Sequence, residues 1–311
     1  MAKFFLATVA LSAILFALPA LADVTIQQTE EGLTVELDGK PFAKYVKESG
    51  NKPIIWPIVG PTGKEMMRQF PMREAGEGER ADHPHHRSFW FTHGDVNGIS
   101  FWHEGNNTGT IKNREISDVS TGKTASFTTV NDWIGPDGQK ICEEHSTYTF
   151  GGDDDMRWID AVCTIRATED KDVVFGDTKE GSCGVRVAGT MKVDSKPGGT
   201  IVNSEGQSDK DAWGKAASWV DYYGPVEGET LGVAILNHPD SFRYPTYWHV
   251  RTYGLFAANP FGLSDFKAGK KGTHTLKKDD TMTLRHRVIF HKRAETDAAI
   301  AKAFEAYAKE K

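Results

Sequence analysis

From Val24 onward the chain is a succession of short stretches rich in β-branched and aromatic residues, separated by turn residues and not by helices. Val24–Gln28 and Leu33–Leu37 alternate apolar and polar side chains, and Asp38-Gly39-Lys40-Pro41 turns the chain into Phe42–Val46. Pro53–Val59 is apolar but bounded by prolines, which predicts an edge strand or a strand end. Further strands are predicted over Ser88–Thr92, Gly98–Trp102, Thr124–Val130, Glu143–Phe150, Arg157–Ala167 and Val173–Phe175. The same signals recur over Val185–Ala188, Thr200–Asn203, Ser218–Tyr223, Leu231–Leu236, Gly254–Ala258 and Met282–His291. Strands at this spacing with no intervening helices cannot build βαβ units, so the chain is read as all-β, a large antiparallel β-sandwich. Only the end is helical: Ala294–Lys309 is rich in Ala, Glu and Lys, with Ile300, Phe304 and Tyr307 at i, i+4 and i+7. That stripe is expected to pack on the outside of a sheet.

The first residues read as a targeting segment. Lys3 gives a short positive region, Phe4 to Leu18 is largely apolar, and Ala20-Leu21-Ala22 fits a small-x-small cleavage site before Asp23. The expectation is a signal peptide over 1–22 and one β domain over 23–311 that includes the helix, located in the periplasm or secreted, with no membrane anchor after cleavage. Losing Lys3 takes the formal charge from −6 to −7, which argues against nucleic acid or anionic lipid as a partner. Three cysteines are too few for a disulfide scaffold. Residues 139–150 and 156–167 read as a hairpin turning at Gly151-Gly152-Asp153. Folding it there brings Cys142 near Cys163, and a bridge between them is expected for an exported protein.

Five of the eleven histidines fall between His83 and His103, in a segment that also holds Arg87, Trp90, Trp102 and Asp95. Imidazole serves both as the physiological acid/base and as a metal ligand. Read as extended chain, His83-Pro84-His85-His86 would point His83 and His85 to one side and His86 to the other. A metal site would then draw on His83, His85, His86, His93 and Asp95, a donor set suited to a divalent transition metal. Arg73–Arg80, just before, is a charged, Gly-containing loop, read as a plain solvated connection, with a lid over the cluster as the alternative.

A second dense stretch, Asn237 to Arg251, holds His238, Arg243, Tyr247, Trp248, His249 and Arg251. Aromatic faces stack on sugar rings while Arg, Asn and His read hydroxyls or carboxylates, so this is the composition of a polar-ligand wall. A third, Phe175 to Gly184, sets Glu180 and Asp177 among small residues, where one or the other is expected to be a carboxylate base raised by burial. No phosphate loop, Gly-x-Ser-x-Gly elbow or His-Glu-x-x-His is present.

The segments His-Pro-His-His-Arg, Phe-Thr-His-Gly-Asp-Val-Asn-Gly and Tyr-Trp-His-Val-Arg, with the ending Leu284 to His291, resemble a bacterial family called "methane oxygenase PmoA". The resemblance spans about residues 30–292. The membrane methane monooxygenase subunit of that name is polytopic, which this chain is not, so methane oxidation is not carried over. The all-β, exported character also resembles the galactose-mutarotase-like supersandwich, which implies a carbohydrate ligand. In such enzymes a His acid and a Glu base face each other across an open sheet, and His238 and Glu180 are the analogues the resemblance suggests.

The leading expectation is an exported carbohydrate-active enzyme acting on a small-molecule or glycan ligand. His86 or His93 and His238 exchange protons, and Glu180 serves as base. Arg87, Arg243 and Arg251 orient the ligand, with Trp90, Trp102, Tyr247 and Trp248 as stacking surface and His249 beside them. A metal-dependent hydrolase or oxygenase built on the histidine cluster is one alternative. A glycan-binding protein without turnover is another.

Overall fold

A computed structural model describes residues 23–292 and 297–311. The proposed signal segment 1–22 and residues 294–296 of the expected helix lie outside the described residues.

In chain order the first strands are β1 (Val24–Gln28), β2 (Gly32–Leu37), β3 (Lys40–Ser49), β4 (Lys52–Ile58) and β5 (Phe89–His93). Then come β6 (Thr110–Ser120), β7 (Ala125–Ile134), β8 (Lys140–Gly152), β9 (Met156–Arg166), β10 (Val173–Phe175) and β11 (Gly181–Arg186). The last are β12 (Thr200–Asn203), β13 (Trp219–Val226), β14 (Glu229–Asn237), β15 (Tyr247–Val250), β16 (Leu255–Asn259), β17 (His274–Leu276) and β18 (Thr281–Lys292), followed by α1 (Asp297–Tyr307).

Two eight-stranded sheets result, with every pairing antiparallel. The first runs β1-β2-β3-β4-β5-β11-β16-β15 and the second β12-β13-β14-β18-β9-β8-β7-β6, while β10 and β17 form a small ribbon. The period-two alternation read from the sequence decides how they pack. Phe89 and Phe91 of β5, Cys183 and Val185 of β11, and Phe256 and Ala258 of β16 enter one core with Phe127, Phe150, Ile159 and Val288 of the second sheet. The fold is the all-β sandwich expected. Outside the second sheet, Ile300 and Tyr307 of α1 bury themselves on Trp219, Ala234, Leu236 and Ile289, as the i, i+7 spacing requires. No helix among the described residues is long and apolar enough to cross a membrane.

Several local expectations fail for identifiable reasons. Gly98–Trp102 is not a strand: Asn97 and Gly98 both have positive φ, and the chain turns back on itself between Val96 and Ile99. β4 is not an edge, since it pairs with β3 and, through Ile55 and Phe89, with β5. The predicted hairpin forms, but its register sets Cys163 opposite Ser146, with Cys142 beyond the Glu143–Arg166 pair. Both thiols are free and buried in the core, so they are small apolar fillers and not a bridge.

Candidate functional site

The histidine segment is a turn, not an extended chain. Pro84 supplies the fixed φ that suits the second position of a β-turn, and the His86 N–H closes it onto the His83 carbonyl at 3.0 Å. His83 itself is left-handed, at φ 46°. Closing the turn stacks the His83 and His86 rings, with centroids 5.0 Å apart and planes within 9°. His83 stacks in turn on Tyr253 and His86 on Trp90, while His85 packs against His86, Trp102 and His103. The buried guanidinium of Arg68 fixes the loop from below by donating to the carbonyls of Arg80, Asp82 and His83. The Arg73–Arg80 loop is tied down as well: the Glu79 carboxylate accepts from the backbone N–H groups of Gln69, Phe70 and Gly76.

This turn sits against the outer face of the first sheet. Trp90, Leu255 and Ala257 form an apolar patch there, with Ile54 and Trp102. Register pairing completes the surface. His249 lies opposite Ala257, Ala257 opposite Gly184, and Gly184 opposite Trp90, so these four share one face and span about 14 Å across three strand spacings. Gly184 and Ala257 leave the floor low, and the Trp90 ring covers Gly184 closely, where an added Cβ would meet it at 3.0 Å. Arg251 and Arg186 flank Leu255 on the next row. Ser182 and Thr92 pair on the other side, and their hydroxyls, like the indole N–H groups of Trp90 and Trp102, are buried without a partner.

Glu180 stands at the entry to β11. Burial pushes its carboxyl upward, but the Lys179 ammonium at 2.9 Å, with His249 and His103 nearby, outweighs that and holds it below the ordinary glutamate value. The expected upward shift is therefore corrected: Glu180 is ionised at neutral pH. The two histidines at the ends of the face are neutral. Burial, then the charge of Arg186, holds His86 well below the usual imidazole value, and burial pushes His249 down to about 4.

Their hydrogen bonds fix opposite tautomers. Arg186 can only donate, so at 2.7 Å the Nδ1 of His86 accepts and its proton sits on Nε2. The Lys179 carbonyl can only accept, so at 2.8 Å the Nδ1 of His249 donates and its Nε2 carries a lone pair.

The structure separates the remaining candidates. His93 is three residues from Trp90 and so points into the core, where its Nε2 bonds the Gly176 carbonyl at 2.9 Å between Phe175 and Phe261. His238 lies across the sandwich from Glu180, against Tyr307, with its Nε2 on the carbonyl of Glu310. Trp248 is in the core and donates to the Ala217 carbonyl. Arg243 ties together the carbonyls of Pro260, Gly272 and Thr273. Arg87 is committed to Glu104 through two bonds of 2.6 and 2.8 Å. Tyr247 packs flat on Phe266. Asp95 accepts from the Gly98 N–H. Among the described residues no three His, Cys, Asp or Glu side chains converge to hold an ion.

Sequence reasoning placed His83, His85, His86, Trp90, Trp102, Glu180, His249 and Arg251 where the structure brings them together. It missed Arg68, Arg186, Trp213 and Tyr253. Arg186 carries a readable signal: it is the one charge in Cys183-Gly184-Val185-Arg186-Val187, on the face opposite the two apolar residues.

No curated protein sequence matches the chain. Solved structures similar to it include an α-galactosidase from Lactobacillus brevis, 9% identical with a TM-score of 0.37, covering 86% of this chain and 39% of that one. The galactosidase domain of an α-galactosidase–sucrose kinase is 9% identical with a TM-score of 0.39, covering 91% and 41%. A polysaccharide lyase is 13% identical with a TM-score of 0.31, covering 95% and 35%. The chain thus spans about two fifths of the length of the first of these. A family model matches residues 32–305, nearly all of the described strands, and the chain belongs to that family, DUF6807, a family of unknown function.

Proposed function

We propose that the outer face of the first sheet binds a sugar or sugar-derived ligand and transfers a proton on it. The observation that carries this reading is the pair of neutral imidazoles in opposite tautomers, His86 offering Nε2–H and His249 an Nε2 lone pair, beside an ionised Glu180. Glu180, whose charge is felt at His249, adds a second acceptor at that end, so one end of the face takes a proton while the other offers a hydrogen bond to the same ligand. Trp90 and Trp102 supply the flat apolar surface on which a sugar ring stacks. Glu180 or His249 takes the proton and gives the same proton back once the ligand has rearranged, while the Nε2–H of His86 donates a hydrogen bond to a ligand oxygen and stays in place. Residues 1–22 direct export, and N-terminal sequencing of the protein recovered outside the cytoplasm should begin at Asp23.

The test is incubation with neutral sugars and uronates in D2O, following anomer interconversion and deuterium wash-in by proton NMR. Conversion of at least one sugar is expected, with Glu180→Gln and His249→Asn each slowing it by about 10²-fold. Binding with no conversion anywhere in the panel would remove the proton-transfer step and leave a glycan-binding protein. No binding at all would sink the reading.

A further inference from the structure

One guanidinium on this face has no counter-charge. Arg251 makes no side-chain hydrogen bond or ion pair among the described residues. Instead it is held between two aromatic rings, 5.7 Å from the centroid of Trp213 and 5.5 Å from that of Tyr253. Its neighbours are also basic. Arg186, on the same row beyond Leu255, lies 4.8 Å from the same Tyr253 ring, and in the adjoining cavity of about 270 Å³ the basic Arg68, Arg80, Arg186 and Lys192 stand with Glu79, Asp82 and Asp194 as counter-charges. Asp82 reaches Arg68 at 3.4 Å and Arg186 at 3.8 Å, but no carboxylate reaches Arg251. Asp82 thus answers Arg68 and Arg186, and among the described residues Arg251, half-buried at the surface, is the cation of this row left to meet an anion from outside. An arginine whose plane is fixed by flanking rings is already shaped for two parallel N–H···O bonds to a carboxylate.

We infer that the ligand of this face carries a carboxylate, as a uronic acid does, and that Arg251 is the residue that reads it. This rests on the sugar-binding reading above, and it places the carboxylate on the row beside Gly184 and Ala257, with the sugar ring toward Trp90. Arg186 is bound to His86, so an anion drawn to this row also sits within reach of the proton donor's support.

The experiment is a tryptophan-fluorescence titration, since Trp213 adjoins Arg251, using D-glucuronate against D-glucose, D-galacturonate against D-galactose, and succinate as a carboxylate without a sugar. One uronate should bind about tenfold more tightly than its neutral parent, the size of a charge-assisted hydrogen-bond pair, and the preference should shrink with added salt. Arg251→Ala should erase the preference, so that uronate and neutral parent bind alike, and Arg251→Met, which keeps a long stem between the two rings, should do the same. Arg251→Lys should keep part of it, because the ammonium retains the charge but not the fork. Equal binding of uronate and parent, or a preference that survives Arg251→Ala, overturns the inference and leaves the sugar reading intact. Succinate binding as tightly as the uronates, and only with Arg251 present, keeps the anion site and overturns the sugar reading. No binding by any of the five probes overturns both.

Discussion

Replacing His93 by Leu should make the stabilities of the two proteins cross as the pH falls. The ring is 1% exposed and sits between Phe175 and Phe261, and burial drives its pKa down to about 4 against a reference near 6.5. The folded pKa is depressed, so between about pH 6.5 and 4 the unfolded chain binds the extra proton. The stability held by keeping His93 neutral is therefore complete above pH 6.5 and is lost as the pH falls toward 4. Between pH 7.5 and 4.5 this one residue should cost the native protein about 2.5 kcal/mol. At pH 7.5 Leu forfeits the bond to the Gly176 carbonyl but also removes the buried Nδ1, which has no partner, for a net loss of about 1 kcal/mol. At pH 4.5 the variant should then be the more stable by about 1.5 kcal/mol. Urea unfolding followed by tryptophan fluorescence at the two pH values measures both numbers. The other buried histidines titrate in both proteins and drop out of the difference. Parallel pH dependences would refute the buried neutral assignment, and a folded His93→Leu protein that no longer binds ligand would refute the inward orientation.

Other consequences follow from the same packing. All three cysteines should resist a thiol reagent in the native protein and react together in urea without reductant, and a disulfide joining Cys142 and Cys163 would contradict the register. Glu104→Gln strands the fully buried Lys52 ammonium, now 3.0 Å from the carboxylate, and should lower stability by about 3 kcal/mol in denaturant titrations. Stability within 1 kcal/mol of the parent would mean that Lys52 reaches solvent. Dialysis against a chelator should leave the melting temperature and ligand binding unchanged. Loss of either would reinstate the metal reading.

The sandwich was legible because strands buried on one face repeat with period two. β9 shows it over its whole length, β8 over most of it and β18 over its first half, and the sequence places all three within a few residues. β6 escaped because it is an edge strand in which Ile111 alone is fully buried, so charges and not apolar alternation mark it. Phe101 and Trp102 misled in the opposite sense. Both are buried, yet in a loop, because large rings signal burial and not backbone shape.

The candidate site divides along the same line. The histidine cluster announced itself by density, and Pro84 contained the information that the segment turns. Strand parity would have excluded His93, which stands an odd number of positions from Trp90. The floor could not be foreseen, since Gly184 and Ala257 matter for what they lack, and only the register of β5, β11, β16 and β15 puts them between Trp90 and His249. His238 failed as a candidate because residue type does not say which side of a two-sheet sandwich a histidine occupies.

The helix α1 has a consequence for how the chain survives in the cell. It is the cover for Trp219, Ala234, Leu236 and Ile289, and it is held at its far end by Arg287 on Glu310 and by His238 on the Glu310 carbonyl. A chain in which α1 has not yet docked presents a finished sheet with a bare apolar back, the kind of surface that draws neighbouring molecules together. The docking of α1, on the sheet opposite the candidate site, thus keeps this apolar face from the surfaces of other molecules.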